Sequence, residues 1–117
     1  MNAALVTTNL TLPGYEIEQN LGVCRGITVR SRFVVMNFVG MIQSLLGGDV
    51  SIYTTLCEQA RLEAYQRMCS HARQIGADGI VTMRYDATVV GAGLTEVLCY
   101  GSAVKLRPLT LAQVQEE

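Results

Sequence analysis

Apolar residues recur along this chain with two different periods, and the changes of period divide it into strands and helices. Across 54–75 the spacing is helical. With Leu56 at zero and 100° per residue, Leu56, Ala60, Ala64, Cys57, Ile75, Met68, Ala72, Tyr65, Cys69 and Leu62 sweep an arc of roughly 240°. Glu63, Gln66, Ser70 and Arg73 fill the narrow polar remainder, Arg67 and Gln74 fall at the edge of the arc beside Leu56, and Glu63 and Arg67 are set i, i+4 in the favourable order for an exposed pair. A stripe of about 100° is enough to seat a helix on a sheet, so this helix is expected to bury a second side as well, against another copy of the chain. Gly76 suits the left-handed position that ends a helix, and Ala77 follows as its small apolar contact.

The flanking segments read as strands. A short β-prone piece at 4–8 and a Pro13-Gly14 turn precede a long strand of period two. Ile17, Leu21, Val23, Ile27 and Val29 share one face of it, which the pattern assigns to the core; Glu16, Glu18, Asn20, Cys24, Thr28 and Arg30 share the other. Gly22 and Gly26 mark bulges or close approaches of another backbone. After the helix, 80–86 and 94–106 form a hairpin through Gly91-Ala92-Gly93. Its second strand has a bulky face of Leu94, Leu98, Tyr100, Val104 and Leu106, assigned to the core. Its other face, Val97, Cys99, Gly101 and Ala103, is small enough for another layer to come close.

Between the first strand and the long helix, Ser31 caps an expected first helix over 32–46 that Gly47-Gly48 ends. Phe33, Val34, Val35, Phe38, Val39, Met41, Ile42, Leu45 and Leu46 leave only Asn37, Gly40, Gln43 and Ser44 for a polar side. With no Lys or Arg on that side, it reads as a buried or interface helix rather than one lying on a membrane.

These elements assemble as an α+β fold. It is a two-layer β-α-β-β unit with a short extra N-terminal strand and a short first helix. A strand, a helical crossover and a second strand form a right-handed unit, and the final strand slots between the two, antiparallel to both. One domain is expected over 1–107, followed by a polar tail over 108–117.

Charge narrows the function. Nine basic residues against ten acidic ones, with a net charge of −1 and no Lys/Arg run, supply no footprint for a phosphate backbone, so nucleic acid is not an expected partner. A charged fraction of only 16% in a chain of 117 residues favours self-association, because a small monomer has much surface to keep wet. The N-terminal stretch lacks a basic region followed by an apolar one, and no segment reaches about 18 uninterrupted apolar residues. A cytoplasmic protein with no membrane span is expected. Cys24, Cys57, Cys69 and Cys99 are too far apart for Cys-x-x-Cys zinc motifs, and a reducing compartment keeps them as thiols.

Several motifs together resemble one family. Gly14-Tyr15-Glu16-Ile17 leads to Gly22-Val23-Cys24-Arg25-Gly26; then come Leu46-Gly47-Gly48, the helix stop Gly76-Ala77-Asp78-Gly79-Ile80-Val81, and Gly101-Ser102-Ala103-Val104-Lys105. The set resembles the YbjQ-like small bacterial proteins over nearly the whole chain up to Leu106. The resemblance implies a subunit like that of dodecin, assembled as a homopentamer, in a family that carries a heavy-metal-binding label without a settled function. The first helix departs from the family pattern in having almost no charged residues.

No catalytic constellation stands out. A cysteine nucleophile needs a base beside it and a group to orient that base, whereas the single histidine, His71, falls inside the apolar arc and reads as a core or interface residue bonded to backbone or to a neighbour. No phosphate loop, HExxH motif or pair of catalytic carboxylates is present. An enzyme is not expected, and no cofactor is indicated. Arg61, also within the arc, is expected in an interface ion pair, with Glu58 a candidate partner. Cys69 and His71 sit roughly 160–200° apart on the helix and cannot share an ion within one chain; Cys57 and Cys69 are separated by about 18 Å of rise.

The candidate metal ligands are Cys24 and Cys99, both expected on the face of the sheet away from the helix. A directly opposite cross-strand pair would set their Cβ atoms about 4.5–5.5 Å apart. The expected function is therefore a non-enzymatic oligomer that binds a small ligand or a soft metal ion. The alternative is a structural interaction module with no ligand.

Overall fold

The computed structural model describes residues 2–31, 51–91 and 94–110. A 3-10 turn at Ala3–Leu5 leads to β1 (Tyr15–Ser31), α1 (Ser51–Gln74), β2 (Gly79–Gly91) and β3 (Leu94–Pro108). The three strands form one antiparallel sheet in the order β1-β3-β2, so the last strand is central, as the crossover rule requires. The expected helix at 32–46 with its Gly47-Gly48 stop, the hairpin residues Ala92 and Gly93, and the tail over 111–117 lie outside the described residues.

The helix ends as its residues dictate. Gly76 takes φ +86°, its N–H donates to the Arg73 carbonyl, and the Ala77 N–H reaches back to Ala72. Those two bonds satisfy carbonyls that the last turn would otherwise leave open. Asp78 then ties the joint to the sheet, its N–H donating to the Val104 carbonyl and its carboxylate accepting from the Leu106 N–H.

The faces of β1 and β3 are the reverse of the expectation. In β1 it is Cys24, Gly26 and Thr28 that are buried beneath α1, whereas Val23 is 68% exposed and Ile27 and Val29 also point away from the helix. The cause is a pair of irregularities. The β1–β3 register slips between Ile17 and Gln19 and again between Asn20 and Gly22, where Gly22 takes φ +99°. An unpaired extra residue inverts the alternation beyond it. Leu21 therefore still packs on the core, while past the second slip the even-numbered residues turn inward. In β3 the small face of Cys99, Gly101 and Ala103 lies against the helix, and Tyr100 lies on the open side.

Small residues win this face because the helix lies very close to it. Ala60, Ala64, Met68 and Ala72, four apart, form the buried ridge of α1. Gly26 meets that ridge so tightly that a β-carbon there would overlap the Ala64 carbonyl and the Met68 amide nitrogen. A Val or Ile in that row would hold the layers apart, and Met68 and Ile80 would lose the contacts they make as large, fully buried side chains.

A second, smaller core sits on the far face at one end of the sheet, where Leu12, Val81 and Val104 are buried with Leu106 packed beside them. The N-terminal arm delivers Leu12 there. Val6 bridges to Ile80 in parallel, the Thr7 N–H donates to the Ile80 carbonyl, and Met83 and Thr82 donate to the carbonyls of Thr7 and Asn9. These bonds pin a bulge in β2 in which Thr82 adopts φ +54°, a conformation that β-branched residues rarely take. At the other terminus, Pro108 pairs with Tyr15 and the Leu109 N–H donates to the Gly14 carbonyl.

Candidate functional site: a buried thiol cluster

β1 and β3 each contribute a Cys-x-Gly triplet to the face under the helix. The antiparallel register sets Cys24 opposite Gly101 and Gly26 opposite Cys99. The two cysteines are therefore diagonal neighbours rather than the directly opposite pair expected, and diagonal cross-strand residues lie about 7–8 Å apart. They lie on the helix side of the sheet, not on its second face. The slip at Gly22 reverses Cys24, and the closeness of the helix reverses the assignment of β3.

α1 adds two more sulfurs from above. Met68 and Cys69 are buried in the same cluster, and the Cys99 thiol donates to the Met68 thioether across 3.5 Å. The Cys24 thiol donates to the Gly101 carbonyl at 3.6 Å. Three thiols and one thioether thus share one core layer, while Cys57 is exposed near the start of the helix. Helix geometry alone gives Cys69 no fellow ligand, since neither Cys57 nor His71 can join it within α1. Its partners come from the sheet.

Burial sets the protonation of the cluster. It pushes the Cys99 thiol up to about 11, with the nearby Tyr85 hydroxyl opposing the shift and the neighbouring Cys69 and Cys24 thiols adding to it. Burial also raises Cys24, helped by Cys69. Tyr65 is raised to about 12, first by burial and then by the Cys69 thiol near it. Tyr85, directly opposite Cys99 across the strands, is raised by burial and then by Cys99. At neutral pH these are thiols and phenols, packed as small polar-tipped apolar groups.

The remaining candidates have structural tasks. His71 Nδ1 accepts the Arg25 backbone N–H at 3.1 Å, the backbone-bonded role expected of it. Arg67 donates to the Ile27 carbonyl. Together they occupy outward groups of β1, an edge strand of the sheet, and so protect an edge that would otherwise be open for pairing. Glu63 pairs with Arg30 on β1 instead of with Arg67, and Arg61 stacks 5.8 Å over the Tyr85 ring. Thr28, the buried polar side chain of this face, donates its hydroxyl to the Ala60 carbonyl at 3.2 Å.

A three-stranded antiparallel sheet with one helix across its small-residue face and a sulfur-rich core defines a small two-layer α+β protein. By sequence, this chain belongs to the YbjQ family, whose model, described as "putative heavy-metal-binding", matches residues 4–107. A UPF0145 protein of Chromobacterium violaceum is 64% identical over 107 residues, covering 92% of each chain. Another from Burkholderia thailandensis is 59% identical, covering 86% of this chain and 91% of the relative. The fold resembles the crystal structure of a DUF74-family protein of unknown function from Pediococcus pentosaceus, with a TM-score of 0.57, 18% identity, and coverage of 87% of this chain and 96% of that one.

Proposed function

We propose that this protein is a non-enzymatic, self-associating protein that takes up a soft, thiophilic cation at Cys24, Cys69 and Cys99, with Met68 as a fourth sulfur. The carrying observation is the convergence of these four side chains from two strands and a helix on one dry core layer. Their chemistry fits a soft ion, since thiolates and thioethers select cations of the Cu(I) and zinc-group type. Their spacing fits in part. Two sulfurs on one tetrahedral ion at about 2.3 Å each stand ~3.8 Å apart, close to the 3.5 Å between Cys99 and Met68. Among the described residues, however, no three His, Cys, Asp or Glu side chains stand close enough to hold an ion as they are. Uptake therefore requires Cys24 and Cys69 to turn toward the Cys99–Met68 pair and the thiols to give up protons, so affinity should rise with pH.

Cadmium titration of the reduced protein, followed by its sulfur-to-metal absorption, tests this. Cys24→Ser, Cys69→Ser and Cys99→Ser should each abolish tight binding, and Cys57→Ser should leave it intact. No binding by the native protein would leave the structural module without a ligand as the better reading.

Self-association rests on a separate observation. On the open side of the sheet Val23, Ile27, Val29, Leu94 and Tyr100 stay at least 37% exposed within one chain. Exposed apolar side chains in this number, set among Arg25, Arg84 and Glu96 on the same side of the sheet, are the kind of surface that a second copy covers, and a pentamer is the assembly the family resemblance implies. Light scattering on the native protein and on Ile27→Glu should give an oligomer and a monomer respectively. A monomeric native protein at micromolar concentration would overturn this reading. No helix among the described residues is long and apolar enough to cross a membrane.

A further inference from the structure

α1 lies along β1 and β3 and scarcely reaches β2, so the thiol cluster is walled unevenly. On the β1 side the helix backbone touches the sheet at Gly26, and nothing can pass between them. On the β2 side the wall is made of side chains. Tyr65, Met83 and Val97 are partly buried against the cluster, and Tyr85 stands beside them, 41% exposed. Tyr85 differs from the others in standing next to a thiol from a half-solvated position. It lies directly opposite Cys99 in the register, on the same side of the sheet, and the Arg61 guanidinium stands 5.8 Å over its ring.

We propose that Tyr85 is the door of the thiol cluster, latched by Arg61 over its ring, and that reagents or ions reach Cys99 by swinging this ring outward. The proposal takes the cluster as the ligand site described above. The latch is easily released, because a cation over an exposed ring is a weak contact. The ring need not cross packed core to move, since its outer part already faces water. Cys24, under the Gly26 contact and bonded to Gly101, lies on the far side of the cluster from this opening.

Alkylation tests the door without any metal. In a Cys57→Ser background, the reduced folded protein is treated with iodoacetamide and the modified cysteines are mapped by mass. Tyr85→Ala should speed the modification of Cys99 by about tenfold or more, and Arg61→Ala, which removes the latch, by a few-fold. Cys24 should stay slow in both. If Tyr85→Ala does not fold, Arg61→Ala, which keeps the ring and the core, decides the matter. Unchanged Cys99 rates in variants of native melting temperature would overturn the proposal. So would equal acceleration at Cys24, Cys69 and Cys99 in step with lost stability, which would report global unfolding. A failed cadmium titration with a responsive Cys99 would remove the ion and keep the door; tight cadmium binding with an unresponsive Cys99 would do the reverse.

Discussion

The two faces of this sheet are built on opposite principles. The face under α1 carries Cys24, Gly26, Thr28, Cys99, Gly101 and Ala103, and is buried. The face away from it carries Val23, Ile27, Val29, Leu98 and Tyr100 and, beyond the Leu12 corner, stands open within one chain. The larger side chains are thus on the wetter side. Burial here follows from how near the layers can come rather than from how apolar each side chain is. Alanine and glycine ridges let the backbones approach, and the close packing of Met68, Ile80 and the sulfurs between them supplies the contacts.

The sharpest way to break that contrast is to put bulk where the layers touch. Gly26→Val should prevent folding or cost more than about 3 kcal/mol, because its side chain would have to displace helix backbone. The adjacent open-face change Ile27→Val should stay within about 0.5 kcal/mol of native in the isolated fold. Urea denaturation followed by circular dichroism compares the two, and similar losses would mean that the faces are not so different.

Removing bulk gives the next largest effect. Met68→Ala, under the helix and fully buried, should lose about 2–5 kcal/mol. Tyr100→Ala across the sheet should lose much less in the monomeric Ile27→Glu background, since its ring is 37% exposed. Met68→Glu, which would bury a charge at this fully covered position, should unfold the chain.

A smaller, pH-dependent effect should belong to the buried face alone. Cys24, Cys99, Tyr65 and Tyr85 titrate higher when folded than their ordinary values, Cys99 moving from 9.0 to about 11 and Tyr65 from 10.0 to about 12. An acid whose folded value is raised keeps its proton longer in the folded state. The associated stability is therefore complete below about pH 9 and declines as pH rises through 11. Urea midpoints between pH 7 and 11 should fall along that course. Cys99→Ala should flatten the decline, and Ile27→Val should not change it.

The smallest effect expected is a gain. Thr82 holds φ +54° in the β2 bulge, with its hydroxyl 2.7 Å from the Val81 carbonyl and 3.2 Å from the Ser102 hydroxyl. Thr82→Gly removes the strain and loses those contacts, for a net stabilisation of about 0.5–1 kcal/mol. Thermal melting would register it, and a loss of similar size would show that the hydroxyl contacts outweigh the strain.

Much of the candidate site was present in the sequence as a pattern that side-chain parity misread. Cys24-Arg25-Gly26 and Cys99-Tyr100-Gly101 are two copies of one triplet, and antiparallel pairing of such triplets sets each cysteine against the other's glycine. That signal points to a tightly covered face with thiols in its gaps. Counting apolar residues points to the other face, because hydropathy measures the preference of a side chain for dry surroundings and not the room available to it. Cys69 could not be reached from α1 alone, since its neighbours at Cys24 and Cys99 are 45 and 30 residues away in sequence.

What the sequence determined by itself is local or topological. The helix and its Gly76 stop, the hairpin, the central place of the last strand and the conformational needs of Gly22 follow from period, turn chemistry and handedness, which act over a few residues or constrain every chain alike. The tertiary structure decided which face of the sheet is buried, because a one-residue slip at Gly22 inverts all the side chains beyond it and no local preference opposes that inversion. It also decided that Cys24, Cys69 and Cys99 meet, since their proximity depends on the distance between two layers, and that distance is set only when Ala60, Ala64 and Gly26 come into contact.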